Sequence, residues 1–87
     1  SIARDLLDDR LIACANIIDG ATSLYRWEGK IAEEKEAVMI AKTREDLVEK
    51  AIDRVRELHS YDCPCIVALP IVAGNPAFLD WIDEETA

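Results

Sequence analysis

The chain has 87 residues, enough for one small domain with a modest core, since a domain of this size buries roughly 60% of its unfolded surface. Apolar residues make up 51% and charged residues 32%, a globular composition rather than a disordered one. The net charge of −8, with 18 acidic against 10 basic residues and no basic cluster, removes nucleic acid from the expected partners, because phosphate binding needs grouped cations.

The longest apolar run, Ile66 to Ala73, contains Pro70 and is too short to span a bilayer, so no membrane role is expected. The opening SIARDLLDDR is charged from its fourth residue and has no apolar signal region. A reducing location is therefore expected, and the odd number of cysteines, three, argues against a disulfide framework.

In chain order, Ile2, Ala3, Leu6 and Leu7 recur at helical spacing and mark the end of an amphipathic helix. LIACANII, from Leu11, is apolar and free of charge, as a strand buried on both faces would be. Asp19-Gly20 marks a bend or bulge. Alternation through Leu24, Tyr25, Arg26 and Trp27 predicts a strand with an aromatic face, and Glu28-Gly29-Lys30 supplies a glycine for a turn or irregular crossing. Beyond the acidic Glu33-Glu34-Lys35-Glu36, Ala37 to Ala41 is again strand-like, so Leu11 to Lys42 reads as one long twisted hairpin.

Thr43 is placed to cap a helix in which Leu47, Val48, Ala51, Ile52, Val55 and Leu58 form one apolar stripe. His59 falls at its C-terminal end, where the helix dipole favours a protonated imidazole. Pro64 suits the start of an edge strand, Ile66 to Leu69. Gly74-Asn75-Pro76 is a turn, and Phe78, Leu79, Trp81 and Ile82 define a short C-terminal helix. The order is helix, strand, strand, helix, strand, helix. One strand before the first helix would complete βαββαβ, the ferredoxin-like α/β (α+β) sandwich. The whole chain, 1–87, is thus expected to be a single domain, incomplete at its N-terminus.

Several phrases resemble the CutA proteins, the divalent-cation tolerance family. LIACANI is similar to their "LAACVNI", ATSLYRWEGKI to "SIYWWEGKI", VMIAKT to "MIIKT", HSYDCPCI to "HPYEVPEI" and FLDWI to "YLSWI". They occur in the family's order and cover nearly the whole chain. The resemblance implies a cytoplasmic homotrimer concerned with tolerance of copper and other divalent metals, without catalysis. It also implies a fold related to the PII signalling proteins, so the alternative is a trimeric regulatory module that binds a small ligand at the subunit junction. The family's first strand has no counterpart before Ser1, and its suspected cation-binding glutamate is replaced here by Cys65, with Cys63 in place of a valine.

That replacement exchanges a hard oxygen donor for a soft thiol and shifts preference toward Cu or Zn ions. His59, Cys63 and Cys65 are the candidate ligands, with Cys14 a more distant one. On a strand, Cys63 and Cys65 would share a face about 6–7 Å apart, too far for a disulfide without distortion. The alternative is that these thiols simply pack as small apolar groups. An enzymatic reading would use Cys65 and His59 as nucleophile and base, but no nucleophile elbow or phosphate loop accompanies them, and no enzyme activity is expected. For a subunit cleft, the aromatic and charged candidates are Tyr25, Trp27, Glu28, Lys42, Tyr61 and Trp81, with Glu28 a partner for Lys42 by resemblance.

Overall fold

The computed structural model describes residues 1–59 and 64–87. It is a mixed α/β chain in the order α1 (Ile2–Asp8), β1 (Cys14–Trp27), β2 (Lys30–Lys42), a 3₁₀ turn (Glu45–Leu47), α2 (Val48–Leu58) and α3 (Pro76–Glu85). The two strands pair antiparallel from Cys14 opposite Lys42 to Trp27 opposite Lys30. Fourteen residues at about 3.3 Å each make roughly 46 Å, so the hairpin alone accounts for the longest dimension of the molecule, 45 Å.

Two backbone features shape that hairpin. Glu28 and Gly29 both have positive φ, 49° and 78°, the pattern of a two-residue turn whose twist matches that of the flanking strands. The register shifts between Ile18 and Ala21, and Gly20 adopts φ 77° there. Asp19-Gly20 is therefore a bulge, as its sequence predicts, and it divides the hairpin into a base and an outer arm. Cross-strand bonds support the arms: the Lys35 ammonium donates to the Thr22 hydroxyl at 2.6 Å, Ser23 donates to the Glu36 carboxylate at 3.0 Å, and Lys42 donates to the Asn16 side chain.

The core lies where α1, the link into β1 and α3 converge. Ala3, Leu6, Ile12, Ala13 and Ile82 are buried there, with Thr86 beside them. Burial of Leu6, Ile12 and Ile82 contributes about 1.5–3 kcal/mol each. α1 begins at Ser1, whose hydroxyl accepts from the Arg4 N–H at 3.3 Å. It ends in a Schellman arrangement, in which the Leu11 N–H reaches the Leu6 carbonyl at 3.0 Å and the Arg10 N–H reaches that of Leu7 at 3.1 Å. The left-handed position belongs to Arg10, φ 56°, where glycine is usual.

α3 starts on Asn75, which accepts from the Ala77 N–H at 3.2 Å, followed by Pro76. Its other end is gripped by two guanidinium groups. Arg10 donates to the Glu85 carbonyl at 3.2 Å and Arg44 to the Thr86 carbonyl at 3.1 Å. These bonds satisfy carbonyls left over at a helix end and place positive charge on its negative pole. Arg54 joins α2 to α1, bonding Asp9 at 3.0 Å and Glu57 at 3.1 Å. Its hydrogen bond to Asp9, then that to Glu57, raises the Arg54 pKa above its ordinary value.

Four expectations need correction. The Thr43 hydroxyl does not cap a helix; it donates to the Leu11 carbonyl at 2.7 Å, and the helical segment opens from Arg44 as a 3₁₀ turn without a side-chain cap. The bond ties the end of β2 to the segment leading into β1. Burial on both faces of LIACANII holds for Ile12 and Ala13 but not for Ile17 and Ile18, which are more than half exposed because nothing among the described residues covers the hairpin there. Ile66 to Leu69 belongs to no sheet among the described residues, and the hairpin's length is set by Cys14, not Leu11. A strand exists only through a neighbour's backbone, and among the described residues β1 and β2 pair only with each other.

Candidate functional site: the segment after α2 and the hairpin tip

α2 delivers the first candidate ligand. Its amphipathic stripe ends at Leu58, and His59 follows as the C-cap in extended conformation, its N–H bonded to the Val55 carbonyl at 2.8 Å. The backbone of His59 is thereby anchored to the helix end. Cys63 and Tyr61 lie outside the described residues. Cys65 follows Pro64 as an exposed free thiol, whereas Cys14 is a half-buried thiol at the start of β1. Among the described residues, no three His, Cys, Asp or Glu side chains converge as a ready-made metal cage. Cys65 thus has the solvent access that a ligand or reactive thiol requires.

The cleft candidates divide between distant places. Tyr25, Trp27 and Glu28 occupy the hairpin's outer end, where Trp27 is 64% exposed. Lys42 sits at the base, opposite Cys14, and its ammonium bonds Asn16. About twelve residues of strand, roughly 40 Å, separate it from Glu28, so the two cannot pair within one chain. Strand register, invisible to a phrase-by-phrase comparison, puts them at opposite ends. Trp81 is stacked on Phe78, ring centres 5.9 Å apart and planes 22° from parallel, and both rings remain more than one-third exposed. The apolar stripe of α3 buries Ile82 and leaves this aromatic pair open.

Sequence reasoning missed the two arginines that hold α3. Arg10 and Arg44 looked like ordinary surface cations, and only the fold shows that residues 75 and 42 positions away are their acceptors. No local pattern announces such a contact. α3 itself has no basic residue in its last turn.

The family model described as "CutA1 divalent ion tolerance protein" matches residues 1–85. A divalent-cation tolerance protein CutA from Thermus thermophilus is 46% identical over 86 residues, covering 99% of this chain and 84% of its own. The chloroplastic protein CutA of Arabidopsis thaliana is 39% identical, and there the match covers 98% of this chain but about half, 47%, of the plant protein. Among solved structures, CutA from Archaeoglobus fulgidus, described as periplasmic, superposes with a TM-score of 0.95 at 46% identity, over 99% of this chain and 83% of the other. CutA1 from Ehrlichia chaffeensis gives 0.94 at 40% identity, covering 99% and 80%. Relatives thus bear the names of more than one compartment, while the hairpin and helices described above recur among them. With its phrases, its fold and nearly its full length matched, the chain belongs to the CutA1 family of divalent ion tolerance proteins.

Proposed function

We propose that the protein binds soft or divalent metal ions, copper or zinc foremost, as a non-catalytic homotrimer in the reducing cytoplasm. The observation that carries the metal reading is the exposed Cys65 thiol, six residues beyond a histidine whose backbone caps α2. Thiolate and imidazole are the donors that Cu(I) and Zn²⁺ prefer. His59, Cys63 and Cys65 supply them from one short segment, and Cys14 stands in reserve on β1. The free thiols of Cys14 and Cys65 suit a reducing compartment.

The homotrimer reading is supported by apolar surface on both faces of the hairpin. Directly opposed residues share a face, so Ile18, Val38 and Ile40 lie on one side of the base while Ile17 and Met39 lie on the other. In the outer arm, Tyr25 and Trp27 take one side, Leu24 and Ile31 the opposite one. Ile17, Ile18, Leu24, Trp27, Ile31, Val38 and Ile40 are all exposed. Apolar surface on this scale marks an interface. A ribbon needing cover on both faces is served by two neighbours, which a ring of three provides and an isologous dimer does not.

The test is an anaerobic titration of the reduced protein with Cu(I) and with Zn²⁺ against a competing chelator, alongside Cys65→Ser and His59→Ala. Uptake of about one ion per subunit, weakened by both substitutions, is the expected result. Binding unchanged by either substitution would refute the site and move attention to a small ligand at the subunit junction, the PII-like reading.

A further inference from the structure

α3 is fastened at one end. Ile82 in its second half and Thr86 at its cap are each only 3% exposed. There Arg10, ahead of β1, donates to the Glu85 carbonyl at 3.2 Å, and Arg44, beyond β2, donates to the Thr86 carbonyl at 3.1 Å. Among the described residues, no other hydrogen bond ties Asn75 to Ala87 to the preceding chain. At the opposite end Asn75 serves only the helix's own Ala77 N–H, and Phe78 and Trp81 remain 41% and 38% exposed. Residues 64–75 lead into the helix without helix or strand of their own.

Both fastening residues are held against resistance. Arg10 takes φ 56°, where a side chain is disfavoured and glycine is usual. The Arg44 Nε is buried and, among the described residues, has no hydrogen-bond partner. The Asp46 carboxylate lies 3.6 Å from it, beyond hydrogen-bond length. A buried donor left unpaired opposes the state that buries it. Strained backbone and an unsatisfied nitrogen thus coincide in the two residues that grip α3, and such coincidences mark elements poised between two states.

We propose that α3 is a latch: Pro76 to Glu85 releases as one unit when the Arg10 and Arg44 bonds break, while the hairpin, α1 and α2 keep their structure. Segments with few buried apolar contacts open in this sub-global way, and Ile82 is the one buried apolar side chain of α3. Opening bares Ile82 to water and lets water reach the Arg44 Nε. Because one arginine precedes β1 and the other follows β2, the closed latch also joins the two ends of the hairpin through consecutive carbonyls. It further sets the slack of residues 64–75, the segment that carries Cys65, although the latch itself does not rest on the metal reading.

Amide-resolved hydrogen exchange at one fixed protein concentration, with no metal added, tests this. The amides from Leu79 to Glu85 should share one level of protection, set by a common opening, and exchange at least about tenfold faster than those of α2 and the hairpin base. Arg44→Gln should speed α3 at least about tenfold further, the scale of a hydrogen bond to a charged group. It should leave α2 and the hairpin unchanged, which also shows that the variant folds. Arg44→Lys, still able to donate to a carbonyl, should recover part of the protection. Exchange that quickens steadily toward Ala87 would be fraying and would overturn the latch. So would α3 rates that Arg44→Gln does not move, or protection lost throughout the chain in that variant. None of these failures touches the metal reading, which the titration tests separately.

Discussion

Arg10 offers a quantitative test of how α1 and α3 are held. It sits at φ 56° in the Schellman turn, and its guanidinium donates to the Glu85 carbonyl at 3.2 Å. A side chain in the left-handed region costs about 1–2 kcal/mol, and glycine escapes that cost while giving back about 0.5–1 kcal/mol through its freer unfolded chain. Glycine at position 10 should therefore exceed alanine by about 0.5–1 kcal/mol, the reverse of their order in a helix interior. Both variants lose the bond to Glu85, which at an exposed site contributes about 0.5–1.5 kcal/mol. Arg10→Gly should then lie near the unaltered protein, and Arg10→Ala about 1 kcal/mol below it. For a domain of this size 1 kcal/mol moves Tm by about 4–8 °C. Thermal unfolding at one fixed protein concentration makes the comparison fair, because association shifts Tm. Alanine matching or exceeding glycine would refute the turn geometry.

Three further substitutions probe other parts of the fold. Glu28→Asn should stabilise the hairpin by up to about 1 kcal/mol, since asparagine tolerates φ near 49° better than glutamate does, and denaturant titration would read the gain. Thr43→Val removes the hydroxyl that ties the end of β2 to Leu11 and should cost about 1 kcal/mol in the same assay; no loss would mean that the bond contributes nothing. Ile82→Ala, at a side chain only 3% exposed, should cost about 2–5 kcal/mol and speed amide exchange through α3. An effect below about 0.5 kcal/mol would place Ile82 outside the core.

Much of the fold was legible because local signals agreed with one another. Leu47 to Leu58 spelled a helix by period, Glu28-Gly29 a turn by backbone need, and Asp19-Gly20 a bulge, and each formed where expected. Ile66 to Leu69 misled for a physical reason: a β-rich run states a propensity, but its hydrogen bonds belong to a neighbour that the run does not encode. Thr43 misled because the fold sets its hydroxyl to donate to the Leu11 carbonyl, 32 positions away, and the helical segment opens one residue later, from Arg44. Of the candidate site, the place of His59 at the end of α2 was readable from the sequence alone. The relation of His59 and Cys65 to Trp27, Lys42 and Trp81 was not, since register and helix docking separate residues that phrase matching treats as one set.

The central claim is that sulfur from the segment after α2 binds the metal. X-ray absorption spectroscopy of the zinc-loaded, reduced protein reads the donor atoms directly. The account predicts a sulfur shell at about 2.3 Å that shrinks in Cys65→Ser. A first shell made only of nitrogen and oxygen at about 2.0–2.2 Å, unchanged by that substitution, would contradict it.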